Sequence, residues 1–274
     1  MKNEAGFAIR PEHSAYRPGE QVTAWISVRR RRPATFRGGM VQLVCSGHYR
    51  GAHSQHHSGE AWVTHFKSEQ IFTDPAQVGA EELLFEVNFK LPTDVPPTYA
   101  GNLIEVEWKM KAKLDIPRRL DETAETRLTV VRSALADSIQ LDMPRRGTAC
   151  DVAFDLPNQW VRAGDQIEGT VLVIPLAEVE ITGAQLELLR NEVVYTGSFT
   201  RQGQKREKIL KLSSASKSVK GLMERLGFRI AIPDKAQPFL AVGEARGYHE
   251  LRAKVAIRGR TDCVSSVPLF IYNG

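Results

Sequence analysis

The chain has 274 residues, of which 42% are hydrophobic and 25% charged, a make-up that supplies real apolar cores and excludes disorder as the dominant state. Its start, from Met1 to Gly6, lacks the apolar run of a signal peptide, and no stretch approaches the roughly 18 apolar residues of a spanning helix, so the expectation is a protein neither secreted nor membrane-embedded. The formal charge of +5 is modest but unevenly placed, and Cys45, Cys150 and Cys263 form no C-x-x-C pair, which points to a reducing, cytoplasmic setting with each cysteine a small buried hydrophobe.

Pro18-Gly19 sets a turn, after which Val22, Ala24, Ile26 and Val28 alternate as one face of a pleated strand does. Trp25 is out of phase with them and is expected to face outward, toward another domain or another molecule. Arg29, Arg30, Arg31 and Arg32 follow, with Arg37 close behind. Such a cluster suits phosphate, anionic lipid or an acidic peptide, and equally suits a solvated loop that guards a sheet edge. Five histidines then fall between residues 48 and 65. Of these, His53, His56 and His57 could converge on a metal ion with Glu60 as an oxygen ligand, although the Gly and Ser around them describe a hairpin tip better than a rigid cage.

Leu83, Phe85, Val87, Phe89 and Leu91 make the next alternating run, which Pro92 stops because proline cannot donate to a ladder. The longest run is Ile104, Val106, Trp108, Met110, Ala112, Leu114 and Ile116, with Trp108 in phase and hence in the core rather than on a base-stacking surface. Residues 134–148 read as a linker. Beyond it, Leu186 and Leu188, then Phe228, Ile230 and Ile232, then Leu251, Ala253, Val255 and Ile257 alternate again. Lys205–Lys208 and Lys211 fit the exposed face of a strand, and only Ser216–Leu226 has helical spacing, at Val219, Leu222, Met223 and Leu226.

The second half repeats the first. Arg17–Val28 lines up with Arg162–Val173, Phe89–Pro92 with Ile230–Pro233, and Lys111–Ile116 with Arg252–Ile257, in one order and at nearly constant separation. Alternation with one wet face requires two sheets to stack their apolar faces. The expected architecture is therefore all-β, with tandem immunoglobulin-like sandwiches at residues 1–133 and 149–274 and at most one short helix.

In order and spacing, Tyr16–Val22, Arg37–Leu43, Phe85–Pro92, Pro96–Gly101 and Ile104–Asp115 resemble the arrestin-like superfamily of arrestin-domain trafficking adaptors, retromer cargo subunits and bacterial sporulation-control proteins. The resemblance implies two arrestin-like sandwiches joined by a hinge, acting as an adaptor or scaffold without catalytic residues. The second half lacks a full Pro-Pro-x-Tyr-x-Gly segment and is assigned from the repeat. No long C-terminal tail of the sort trafficking adaptors carry is present, so the expectation is a compact, prokaryotic member.

No nucleophile elbow, P-loop, H-E-x-x-H or dinucleotide fingerprint occurs. The expected role is non-enzymatic binding of a protein or peptide partner, phosphorylated or acidic if the arginines carry the contact, with peripheral contact to an anionic membrane as a further use. No cofactor and no nucleic acid are expected. A structural subunit of a larger assembly, or a metal-dependent enzyme using the histidine segment, are the competing readings.

Overall fold

A computed structural model of the chain describes residues 6–30, 32–54, 57–78, 82–132, 147, 149–176, 178–196, 200–213, 224–243 and 245–274. Twenty strands are formed among them. In the first half these are β1 (Gly6–Pro11), β2 (Ala15–Tyr16), β3 (Gln21–Arg29), β4 (Ala34–Phe36), β5 (Gly38–Ser54), β6 (His57–Thr73), β7 (Ala76–Val78), β8 (Glu82–Lys90), β9 (Tyr99–Ala100), β10 (Ile104–Asp115) and β11 (Glu122–Val130). The second half contributes β12 (Cys150–Asp155), β13 (Trp160–Arg162), β14 (Gln166–Pro175), β15 (Ile181–Thr196), β16 (Thr200–Ser213), β17 (Glu224–Ala231), β18 (Leu240–Val242), β19 (Ala245–Ile257) and β20 (Cys263–Tyr272). No helix occurs among the described residues.

The chain divides into two compact units, Met1–Ala100 with Ile104–Arg132, and Gly101–Leu103 with Ser133–Gly274. In the first, β1-β3-β8 form one sheet and β2-β11-β10-β5-β6, with β9 beside β10, form the other. In the second, β12-β14-β17 and β13-β20-β19-β15-β16, with β18 beside β19, repeat that order strand for strand. Among the described residues, the small β4-β7 ladder of the first unit has no counterpart in the second.

The alternating residues explain the layering. Val22, Ala24, Ile26 and Val28 of β3 are fully buried, as are Ile104, Val106, Met110 and Leu114 of β10, so the two sheets of the first unit close on a dry interior. In the second unit one core cluster draws Val152, Val171, Val173 and Ile230 from the smaller sheet and Leu188, Leu251, Val255 and Leu269 from the larger. The three cysteines are free and buried in these cores.

The duplication extends to single hydrogen bonds. Leu91 N–H donates to the Glu20 carbonyl at 3.0 Å, and Ile232 N–H to the Asp165 carbonyl at 2.8 Å. Each ties the end of β8 or β17 to the residue before β3 or β14. The turn itself is closed by Glu20 N–H to the Arg17 carbonyl at 3.0 Å and by Asp165 N–H to the Arg162 carbonyl at 3.1 Å, around Gly19 and Gly164, whose φ of +83° and +89° are left-handed values that a side chain resists. The same turn chemistry therefore anchors the same strand in both copies.

The helix expected at Ser216–Leu226 is corrected at its C-terminal end. Residues 214–223 lie outside the described set, but Glu224, Arg225 and Leu226 begin β17, with Leu226 opposite Val171 of β14. Leu226 is shared by two periods, the helical one before it and the period-2 run of Phe228 and Ile230 after it. Pairing with β14 satisfies the backbone and places Leu226 and Phe228 against the core, so the extended period prevails.

Candidate anion-binding groove

Arg29 is the last residue of β3 and pairs across the sheet with Glu82 of β8, Nη2 to Oε2 at 2.6 Å, both side chains well exposed. Arg30, just beyond the strand, is only 11% exposed and grips Glu122 with both terminal nitrogens, at 2.5 and 2.8 Å. Its guanidinium carbon lies 5.8 Å from the centre of the Phe36 ring, a cation–π arrangement, and its Nε has no hydrogen-bond partner among the described residues. Arg37 donates from Nε and Nη2 to Asp115 Oδ1 at 3.0 and 2.7 Å. Three of the five arginines singled out by sequence are thus neutralised within the fold. Arg31 lies outside the described residues.

Arg32 is different. It is exposed and has no carboxylate within ion-pair distance among the described residues, and the same holds for Arg119 on the turn between β10 and β11. Arg30, Arg32 and Arg119, with Thr35, Ile116 and Pro117, line an open groove of about 680 Å³. The β10–β11 turn that carries Arg119 is sharp: Arg118 has a left-handed φ of +59°, and Arg119 N–H donates to the Ile116 carbonyl at 3.3 Å. Two guanidinium groups without carboxylate partners among the described residues, beside a third held rigid by Glu122, provide donors for a multivalent anion such as a phosphate or a pair of carboxylates.

Sequence reasoning missed Arg119. It sits in Pro117-Arg118-Arg119, directly after the repeat anchor Lys111–Ile116, and a basic pair beside a strand end was the available signal. Its closeness to Arg32 depends on which strands are neighbours.

The histidines divide. His53 and His57 have backbones in β5 and β6, but their side chains, and all of His56, lie outside the described residues, as does any metal site they would build. Among the described residues no group of three His, Cys, Asp or Glu side chains could hold a metal ion. His48 is buried beneath Trp62, the rings parallel with centres 4.1 Å apart, and its Nε2 lies 3.1 Å from Glu60 Oε2. His65 Nε2 and the Tyr49 hydroxyl share a hydrogen bond at 2.5 Å, and burial lowers the His65 pKa below the ordinary histidine value.

The tryptophans follow their phases. Trp108 is buried and its indole N–H donates to the Pro96 carbonyl at 3.0 Å, pinning the Pro96–Gly101 segment to β10. Trp25 faces outward on the three-stranded sheet opposite Glu86 and is 36% exposed. The basic stretch Lys205–Lys208 and Lys211 lies on β16, as a strand.

Two stacked sheets per unit, antiparallel except where β2 meets β11 and β13 meets β20, written twice with one strand order, define a tandem β-sandwich protein. Residues 6–135 match the family model described as Arrestin (or S-antigen), N-terminal domain, so this part of the chain is similar to the arrestin-like superfamily. No curated protein matches the chain.

Proposed function

We propose that the chain is a non-enzymatic adaptor whose first unit docks an acidic or phosphorylated segment of a partner protein in the groove lined by Arg30, Arg32 and Arg119. The observation that carries this reading is the contrast among the arginines. Arg29, Arg30 and Arg37 have carboxylate partners, whereas Arg32 and Arg119 have none among the described residues and share one open groove. Free guanidinium groups close together repel each other, and a bound anion relieves that cost.

Calorimetric titration with a phosphoserine peptide and its unphosphorylated twin tests it. Binding of the phosphorylated form, weakened by added salt and lost in the Arg32→Ala, Arg119→Ala double variant, is expected. Equal binding of both peptides by both proteins would sink the proposal. Flotation with anionic liposomes distinguishes a membrane surface from a peptide as the source of the anion.

The adaptor reading takes residues 134–148 as the linker between sandwiches and a reducing cytoplasm as the setting, in line with three free cysteines. Among the described residues no helix is long and apolar enough to cross a membrane.

One observation favours a subunit of a larger assembly as the second reading. Strand β6 pairs only with β5 among the described residues and carries Trp62 and Ile71 at 68% and 75% exposure. An edge of this length with apolar side chains invites another strand. Light scattering after size exclusion checks it, a monomer at high concentration speaking against assembly through this edge.

A further inference from the structure

We propose that Cys150 and Cys263 form an oxidisable dithiol that closes into a disulfide across the second sandwich. Cys150 opens β12 in the three-stranded sheet and Cys263 opens β20 in the six-stranded sheet, so a bond between them joins the two layers directly. Both side chains are buried in the same core cluster, close enough that the Cys263 thiol adds to burial in raising the Cys150 pKa.

The backbone holds them together. Gly147, three residues before Cys150, lies so close to Cys263 that a Cβ built on it would stand 2.7 Å from the sulfur and 2.8 Å from the Cα. With its φ of +100°, Gly147 is also in a conformation that side chains resist. Gly147 therefore lies directly over Cys263, and only glycine permits that approach.

A small-molecule disulfide of the glutathione type is a sufficient oxidant. One cysteine sulfur attacks the oxidant, releasing one thiol and forming a mixed disulfide. The second cysteine sulfur then displaces the remaining thiol and forms the bond between Cys150 and Cys263. One oxidant S–S bond and two protein S–H bonds become one protein S–S bond and two released thiols, and two electrons pass to the oxidant. Burial raises the Cys150 pKa to about 12, which keeps it a thiol at neutral pH, so the reaction in the closed fold is slow and follows opening at the start of β12. Cys45, equally buried in the first unit, with its pKa raised to about 12 by desolvation alone, serves as an internal control.

The test exposes the native full chain to excess oxidised glutathione, then alkylates it in denaturant and maps its peptides by mass spectrometry. A peptide pair linked through Cys150 and Cys263 is expected, with Cys45 still alkylated, and thiol reductant should reverse the link. Oxidation should also raise the melting temperature, and Cys45→Ala should change neither result. Cys150→Ala and Cys263→Ala should each abolish the link. If both thiols stay fully alkylatable after prolonged exposure, carry only separate glutathione adducts, or link only when oxidised in denaturant, the proposal is wrong. The unsubstituted protein alone decides this, whether or not the variants fold.

Discussion

Arg30 and Glu122 join the two sheets of the first unit, the arginine just past the end of β3 in one layer and the glutamate at the start of β11 in the other. Two terminal nitrogens meet two carboxylate oxygens, a geometry that fixes the guanidinium in one orientation. Arg30 is therefore a rigid wall of the groove, while Arg32 and Arg119 line it with no carboxylate partner among the described residues.

Truncation separates those roles. Arg30→Ala should lower unfolding stability by about 1–2 kcal/mol, since Glu122 is more than a third exposed and water screens part of the loss. Arg32→Ala and Arg119→Ala should leave stability within about 0.5 kcal/mol and reduce binding of the phosphoserine peptide. Urea denaturation and calorimetry on the same variants check the two halves.

Gly47 lies under the Tyr49–His65 hydrogen bond. A Cβ there would come 2.5 Å from both His65 Nε2 and the Tyr49 hydroxyl. Gly47→Ala should force the pair apart and cost about 1–3 kcal/mol, from overpacking together with the lost hydrogen bond. A normal denaturation midpoint in this variant would contradict the packing described.

Turn glycines give a matched test of the duplication. Gly164 has a φ of +89° and an added Cβ would lie 2.7 Å from Asp234 Oδ1, whereas at Gly19 the nearest atom, a Thr93 methyl, is at 3.3 Å. Both Ala substitutions should destabilise by about 1–2 kcal/mol through the left-handed backbone, with Gly164→Ala the larger effect. Thermal melts of the two single variants compare them.

Acid should weaken the fold through two histidines. Burial lowers the pKa of His65, and burial with the nearby Arg190 charge lowers that of His249 to about 3, from an ordinary value of 6.5. A folded-state pKa below the unfolded one means that the associated stability is complete above about 6.5 and falls as acid protonates the unfolded chain first. For His249 the loss continues down to about 3. Denaturation midpoints measured from pH 7 to pH 4 should fall steadily, and more shallowly in His249→Gln.

Much of the fold is legible in the alternation and in the repeat. Val22 to Val28 and Ile104 to Ile116 name their own buried faces, because a pleated strand sends every second side chain to one side. The likeness of Arg17–Val28 to Arg162–Val173 requires two copies of one topology, and two copies are found. The pattern misleads at Leu226, where a local helical period meets a strand partner it cannot reveal.

Function is less legible, and the arginines show why. In the sequence Arg29, Arg30, Arg32 and Arg37 are equivalent members of one basic cluster. Each acquires its character from a residue far along the chain, Glu82, Glu122 or Asp115, or from having none within reach among the described residues. Periodicity is a local property that the chain carries with it, so sequence by itself determined the strands, their buried faces and the duplication. Ion pairing, the sharing of one groove by Arg32 and Arg119, and the sharing of one core by Cys150 and Cys263 involve residues distant in the chain, and only strand order and sheet stacking decided which charges line the groove and which thiols share a core.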